Sequence, residues 1–183
     1  MSSPITHNDI IVEGINNDFV TLNITYTGFY GEYGGAWFSD CYEFRVKNSK
    51  NQTVSVTFDC FEWDSVANRR WWNVILNVYN KRKVGFQPLI QTGKAGIESL
   101  VLTKKIVKHF IEHFYEYVNG RSYNIDDKIF IWWDDNRRRN VYYRYLADLG
   151  FVESNININN RHWKSGKCLV KAIEHNGTQT PRY

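Results

Sequence analysis

Six consecutive residues, Gln91-Thr92-Gly93-Lys94-Ala95-Gly96, have the composition of an anion-holding loop. They follow a short apolar run and precede an amphipathic stretch, so unpaired helix N–H groups and the positive end of a helix dipole would face the loop. Gly93 and Gly96 allow close backbone approach, and Lys94 adds a full positive charge. Two familiar phosphate patterns are excluded. Ala95 follows Gly93-Lys94 and no glycine stands five residues before Gly93, so this is no Walker loop, and no Gly-x-Gly-x-x-Gly exists either. Proton chemistry is available from Asp59, Glu62 and Asp64; by strand alternation Glu62 and Asp64 share one face and Asp59 takes the other. Tyr142, Tyr143 and Tyr145 offer hydroxyls that can donate. His109 and His113 stand one helical turn apart, but the glutamate of a zincin motif is not in place, so no metal site is expected.

The elements that must position these groups follow from periodicity. Ile97, Leu100, Val101, Ile106, Val107, Phe110, Ile111, Phe114 and Val118 recur at spacings of three and four, with charged residues between them. Glu98 suits the first turn of that helix, and Asn119-Gly120 stops it. Ahead of it, Phe19 to Tyr26, Trp37 to Val46 and Thr53 to Trp63 read as strands. Gly28 to Gly35, with four glycines and three aromatics, reads as a loop on the rim of a site. Ser65 to Tyr79 carries Val66, Trp72, Ile75, Leu76 and Tyr79 at helix-like spacing, with Ser65 as N-cap. Val84 to Ile90 is then the strand entering the glycine loop, with Pro88 marking a bulge or edge. Lys128 to Trp133 is a further strand, a helix follows it, and Phe151 to Ile158 pairs with His162 to Ile173.

Strand, glycine loop, helix, strand, helix and Gly150-Phe151 is an ordered series, and it resembles a known family. Gln91 to Leu100 looks like motif A of the GNAT N-acetyltransferase superfamily. Ile129 to Trp133, Asn136 to Asn140, and Tyr142 to Phe151 resemble the strand, asparagine turn and helix of its motif B. The resemblance implies an α+β fold (α/β at the motifs). Its sheet would be central, mixed and mostly antiparallel, with one parallel, splayed strand pair. It implies acetyl-CoA as cosubstrate, with no metal. The cofactor would lie against Leu89, Ile90, Gln91, Thr92, Gly93, Lys94, Ala95, Gly96, Asn136 and Asn140. Acetyl transfer to an amine acceptor by direct attack would follow. A backbone N–H near Pro88 to Ile90 would hold the thioester oxygen, Glu62 would serve as base, and Tyr145 or Tyr142 as acid. Leu146 stands where the family's tyrosine is usual, four residues before Gly150.

Composition agrees with one domain over residues 1–183, with residues 1–9 and 176–183 as loose ends. No apolar run approaches the roughly 20 residues of a membrane span, and the N-terminal residues lack a signal-peptide pattern. Cys41, Cys60 and Cys168 are too scattered for a disulfide framework, which points to the cytoplasm. The net charge of +4 is concentrated in clusters, above all Arg137-Arg138-Arg139 with Arg144. Aromatics beside these clusters keep a second reading open, a non-catalytic module of the same fold binding nucleic acid or a protein. A homodimer is a further expectation from the aromatic content.

Overall fold

The computed structural model describes residues 6–13, 19–33, 36–63, 69–79, 96–117, 126–133, 136–156 and 166–174. Strands β1 (Thr6–Glu13), β2 (Phe19–Tyr33), β3 (Ala36–Lys47), β4 (Thr53–Trp63) and β5 (Arg69–Tyr79) come first. Helix α1 (Gly96–Glu112), the one-turn α2 (Phe114–Tyr117) and strand β6 (Asp126–Trp132) follow. Helix α3 (Asn136–Leu146), a short 3-10 turn, and strands β7 (Val152–Ile156) and β8 (Gly166–Ala172) complete the described chain. These strands form one sheet in the order β1-β2-β3-β4-β5-β6-β8-β7. Every neighbouring pair is antiparallel except β5 with β6. The α+β architecture expected from the sequence, a mixed and mostly antiparallel sheet with one parallel pair, is present.

Alternation along the strands sets one face against the helices. Tyr42 and Phe44 of β3, Val56 and Phe58 of β4, Trp72 and Val74 of β5, and Ile129 and Ile131 of β6 all enter one buried cluster. Helix α1 meets it with Leu102, Ile106, Val107 and Phe110, and α3 with Tyr142 and Leu146. Phe110 stacks on Phe58 with ring centroids 3.8 Å apart and meets Trp72 edge-on. Burying a ring of that size stabilises by about 1.5–3 kcal/mol, with a further increment for aromatic pairing. At the other end of the α3 segment, Gly150 takes φ 83° and its N–H bonds Ala147 O at 2.9 Å. That left-handed position is what lets the chain turn into β7.

Three expectations are corrected. Residues 69–79, read as part of a helix over 65–79, form β5, paired with β4 along its whole length from Arg69 to Tyr79. Trp72, Val74 and Val78 are buried on one face while Trp71, Ile75 and Asn77 are half-buried on the other. A strand apolar on both faces loses its alternation and can imitate helical spacing. The parallel partner of β6 is β5; Val84 to Ile90, expected as the strand entering the glycine loop, lies outside the described residues. Gly28 to Tyr33, expected as loop, continue β2 against β3, with a register irregularity between Gly28 and Gly31. Glycines there accommodate a bulge. Finally, Thr6 to Asp9, read as part of a loose end, belong to β1.

Candidate active site

Strands β5 and β6 run side by side only from Arg69 opposite Asp126 to Asn73 opposite Phe130. Beyond that point β5 continues against β4 to Tyr79, and β6 continues against β8 to Trp132. Among the described residues the two parallel strands thus part, their facing edges released from one another. At the closed end, Arg70 and Asp127 form a buried bidentate ion pair, Nε to Oδ1 at 2.6 Å and a second bond at 2.9 Å. Trp72 Nε1 donates to the same carboxylate at 3.4 Å, and the guanidinium lies over the Trp72 and Phe114 rings. The pair fixes where the two strands begin together.

Both helices start at the open end. Asn48 shapes the β3–β4 turn, its Oδ1 accepting the amides of Lys50 and Gln52 at 3.0 and 2.9 Å. The Glu98 carboxylate accepts the Ser49 amide at 2.6 Å and the Ser49 hydroxyl, and Asn48 Nδ2 donates to Ser99 Oγ at 3.3 Å. This turn sits at the C-terminal end of β5, since Thr53 opposes Tyr79. The first turn of α1, with Gly96, is pinned there. Helix α3 begins at Asn136, four residues beyond the end of β6, at the same end of the sheet.

The expected site residues distribute as follows. Leu89, Ile90, Gln91, Thr92, Gly93, Lys94 and Ala95 lie outside the described residues; Gly96 opens α1. Asn136 and Asn140 are exposed on α3. Tyr142 is buried in the core on the helix side of the sheet, Tyr145 is half-buried, and Tyr143 is 48% exposed. Leu146, at the family's tyrosine position, is buried. Tyr143, Arg139, Asn140, Val152 and Glu153 line a cleft of about 380 Å³ between α3 and β7, where Arg139 pairs with Glu153 at 2.5 Å. Glu62 lies on β4 opposite Arg70, toward the closed end, whereas Asp59 lies opposite Asn73, level with the parting.

Asp59 belongs to a row that spacing did not reveal. Cys41 of β3, Asp59 of β4, Asn73 of β5 and Phe130 of β6 are register partners across four strands, on the face away from the helices. Burial pushes the Asp59 carboxyl above its ordinary 3.8; a hydrogen bond from Cys41 works against the rise and the charge of Glu43 adds to it. Burial first, then the Asp59 charge, pushes the Cys41 thiol far up, so it is no nucleophile. Cys41 and the Arg70–Asp127 pair had no signal in the sequence, because both depend on which strands become neighbours.

The rings of His109 and His113 lie 4.4 Å apart and tilted by 32°, but their polar contacts are local: Nε2 of His109 meets the Tyr117 hydroxyl at 2.9 Å and Nδ1 of His113 meets Glu116 at 3.0 Å. Among the described residues no group of three or more His, Cys, Asp and Glu side chains is placed to hold a metal.

No protein-family model matches the chain, and no curated protein matches it. Among solved structures, mutant forms of the spermidine/spermine N-acetyltransferase SpeG from Vibrio cholerae align with 72% of this chain at 13% identity and a TM-score of 0.36. The aligned part spans 66%, just under two thirds, of that protein. At that score the likeness carries no function or substrate over to this chain.

Proposed function

We propose that this chain is an acyl-CoA-dependent N-acyltransferase that moves an acetyl group from acetyl-CoA to an amine. The observation that carries the reading is the parting of β5 from β6 beyond Asn73 and Phe130, toward the end where α1 and α3 both start. Facing edges of parted strands present main-chain N–H and C=O groups, and an extended arm bearing amides, such as pantetheine, pairs with them as an added strand does. The residues present fit the group. Main chain of Val74 to Leu76 and of Ile131 and Trp132 would hold the arm, and the α1 terminus at Gly96, with Gln91 to Ala95 before it, the pyrophosphate. Asn136 and Asn140 stand at the start of α3 for the remainder.

Bound acetyl-CoA would supply an activated acyl group as a thioester. The chain's own residues orient the partners and manage protons. Tyr145 is the α3 hydroxyl best suited to donate, because Tyr142 is locked in the core and Tyr143 lines the outer cleft. Of the candidate bases on β4, Asp59 stands level with the parting and Glu62 does not. Cys41, Cys60 and Cys168 are not joined in disulfides, which suits a reducing cytoplasm, and among the described residues no helix is long and apolar enough to cross a membrane. Calorimetric titration with acetyl-CoA tests the proposal: saturable binding is expected, and no heat at millimolar ligand overturns it.

A further inference from the structure

The face of the sheet turned away from the helices has a built interior beside the parting. Asn73 and Phe130 form a buried floor, 4% and 0% exposed. Around them Cys41, Asp59, Trp71 and Trp132 are only half-buried, so the rim remains reachable. The rings are continuous: Phe130 meets Trp71 edge-on at 6.2 Å and Trp132 at 5.6 Å. The face already accepts a cation, since Lys128 Nζ lies 5.5 Å from the Trp71 ring centroid, its charge answered by Asp126 at 2.7 Å. The indole N–H of Trp132, on the part of β6 that has left β5, is buried with no hydrogen-bond partner among the described residues.

We propose that this aromatic recess is the acceptor site, and that it takes a primary amine, bound as its ammonium, on a flat apolar body, with Asp59 as counter-charge and proton acceptor. The inference rests on the acyltransferase reading and names its substrate class. A partly desolvated carboxylate on the same sheet face as Trp71, Phe130 and Trp132 offers a site for an ammonium. The charge is paired, and the apolar body lies against the half-buried Trp71 and Trp132 beside the buried floor. Asp59 is held there at a cost, because burial and the nearby Glu43 both oppose its charged form. An incoming ammonium relieves that opposition. One proton then passes from the ammonium nitrogen to an Asp59 oxygen, giving a neutral carboxylic acid and a neutral amine whose lone pair is free for attack. Burial favours that direction of transfer, since both products are uncharged. The Trp132 N–H, on the same face, is left as donor to a polar atom of the ligand. Cys41 supports the carboxylate through its hydrogen bond without competing for the acyl group, because its thiol stays protonated.

Tryptamine and its alcohol analogue tryptophol separate the charge from the ring. Titrated into the intact protein without acetyl-CoA, tryptamine is expected to bind saturably and tryptophol at least tenfold more weakly. In Asp59→Asn the tryptamine affinity should fall at least tenfold and the preference over tryptophol should vanish, while acetyl-CoA binding stays unchanged. Trp132→Leu should weaken both ligands. Circular dichroism and thermal melting show that each variant is folded, and for Asp59→Asn the acetyl-CoA titration shows it as well. Absent tryptamine binding, equal binding of the two ligands, or an unaltered preference in Asp59→Asn overturns the proposal. Tryptamine binding without any acetyl-CoA binding would leave the recess standing and sink the acyltransferase reading instead.

Discussion

At the scale of single residues, the proposal divides its proton chemistry between two side chains on different elements, and each has its own test. Tyr145→Phe removes only a hydroxyl. If that hydroxyl protonates the departing thiolate, turnover should fall by roughly 10²–10⁴-fold with acetyl-CoA affinity nearly unchanged. Tyr142→Phe should instead act on stability, because Tyr142 packs in the core. Steady-state kinetics of the two variants, read beside their melting curves, distinguish these roles; equal turnover in wild type and Tyr145→Phe would remove the acid assignment. Asp59 carries a stability prediction of opposite sign. Its folded pKa lies above its ordinary 3.8, so the native state holds the proton more tightly than the unfolded chain. Stability from this group is therefore full below about pH 3.8 and lost as pH rises through the raised folded value. At neutral pH the carboxylate is a burden, and Asp59→Asn should raise the melting temperature by a few degrees, on the order of 1 kcal/mol, while impairing acceptor binding. A lowered melting temperature would mean that the carboxylate is held for structure.

At the scale of elements, the parallel pair is where the fold is most exposed to a single change. Arg70 and Asp127 are both buried, and removing one leaves the other charge unpaired in the interior. Asp127→Ala should cost about 3–5 kcal/mol by denaturant titration, while an apolar replacement of both partners should cost much less. If Asp127→Ala proves nearly neutral, the pair is not what registers β5 on β6. The α1–α2 corner gives a pH test. Burial, then the neighbouring His113, lowers the His109 pKa from its ordinary 6.5, so the unfolded chain takes up this proton first as pH falls. The denaturation midpoint should drop between pH 7.5 and pH 5.5, and the drop should be smaller in His109→Asn. Legibility in the sequence also divides by element. Helix α1 and strand β4 were readable because each buries one face, so their apolar residues recur at 3.6 and at two. β5 was not, since Trp71-Trp72 and Val74-Ile75-Leu76 bring apolar groups to both faces and their periodicity is lost. The Asp59 row was half readable: alternation separated Asp59 from Glu62, but only strand order brings Cys41, Asn73 and Phe130 beside it.

At the scale of the whole molecule, two faces of one sheet serve different ends. The helix side is a continuous aromatic and aliphatic core, and the other side holds the polar row with Trp71 and Trp132. A cosubstrate lying between the parted strands would touch both, and would tie β5, β6, α1 and α3 into one cooperative unit. Ligand that binds only the folded chain stabilises it by RT ln(1 + [L]/Kd), about 2.7 kcal/mol at a hundred times Kd. For a chain of this length that corresponds to a rise in melting temperature of roughly 5–10 °C with saturating acetyl-CoA. Gly93→Glu puts a side chain at the expected close-approach position of the loop and a negative charge beside the pyrophosphate, so its melting temperature should be flat across the same titration. Asp59→Asn, in the acceptor recess and off the parted edges, should keep the full rise, which separates cosubstrate from acceptor. An equal rise in Gly93→Glu and wild type would place the phosphates elsewhere than the loop before α1. No rise in the wild type would take away the reason for reading the parted strands as a cosubstrate slot.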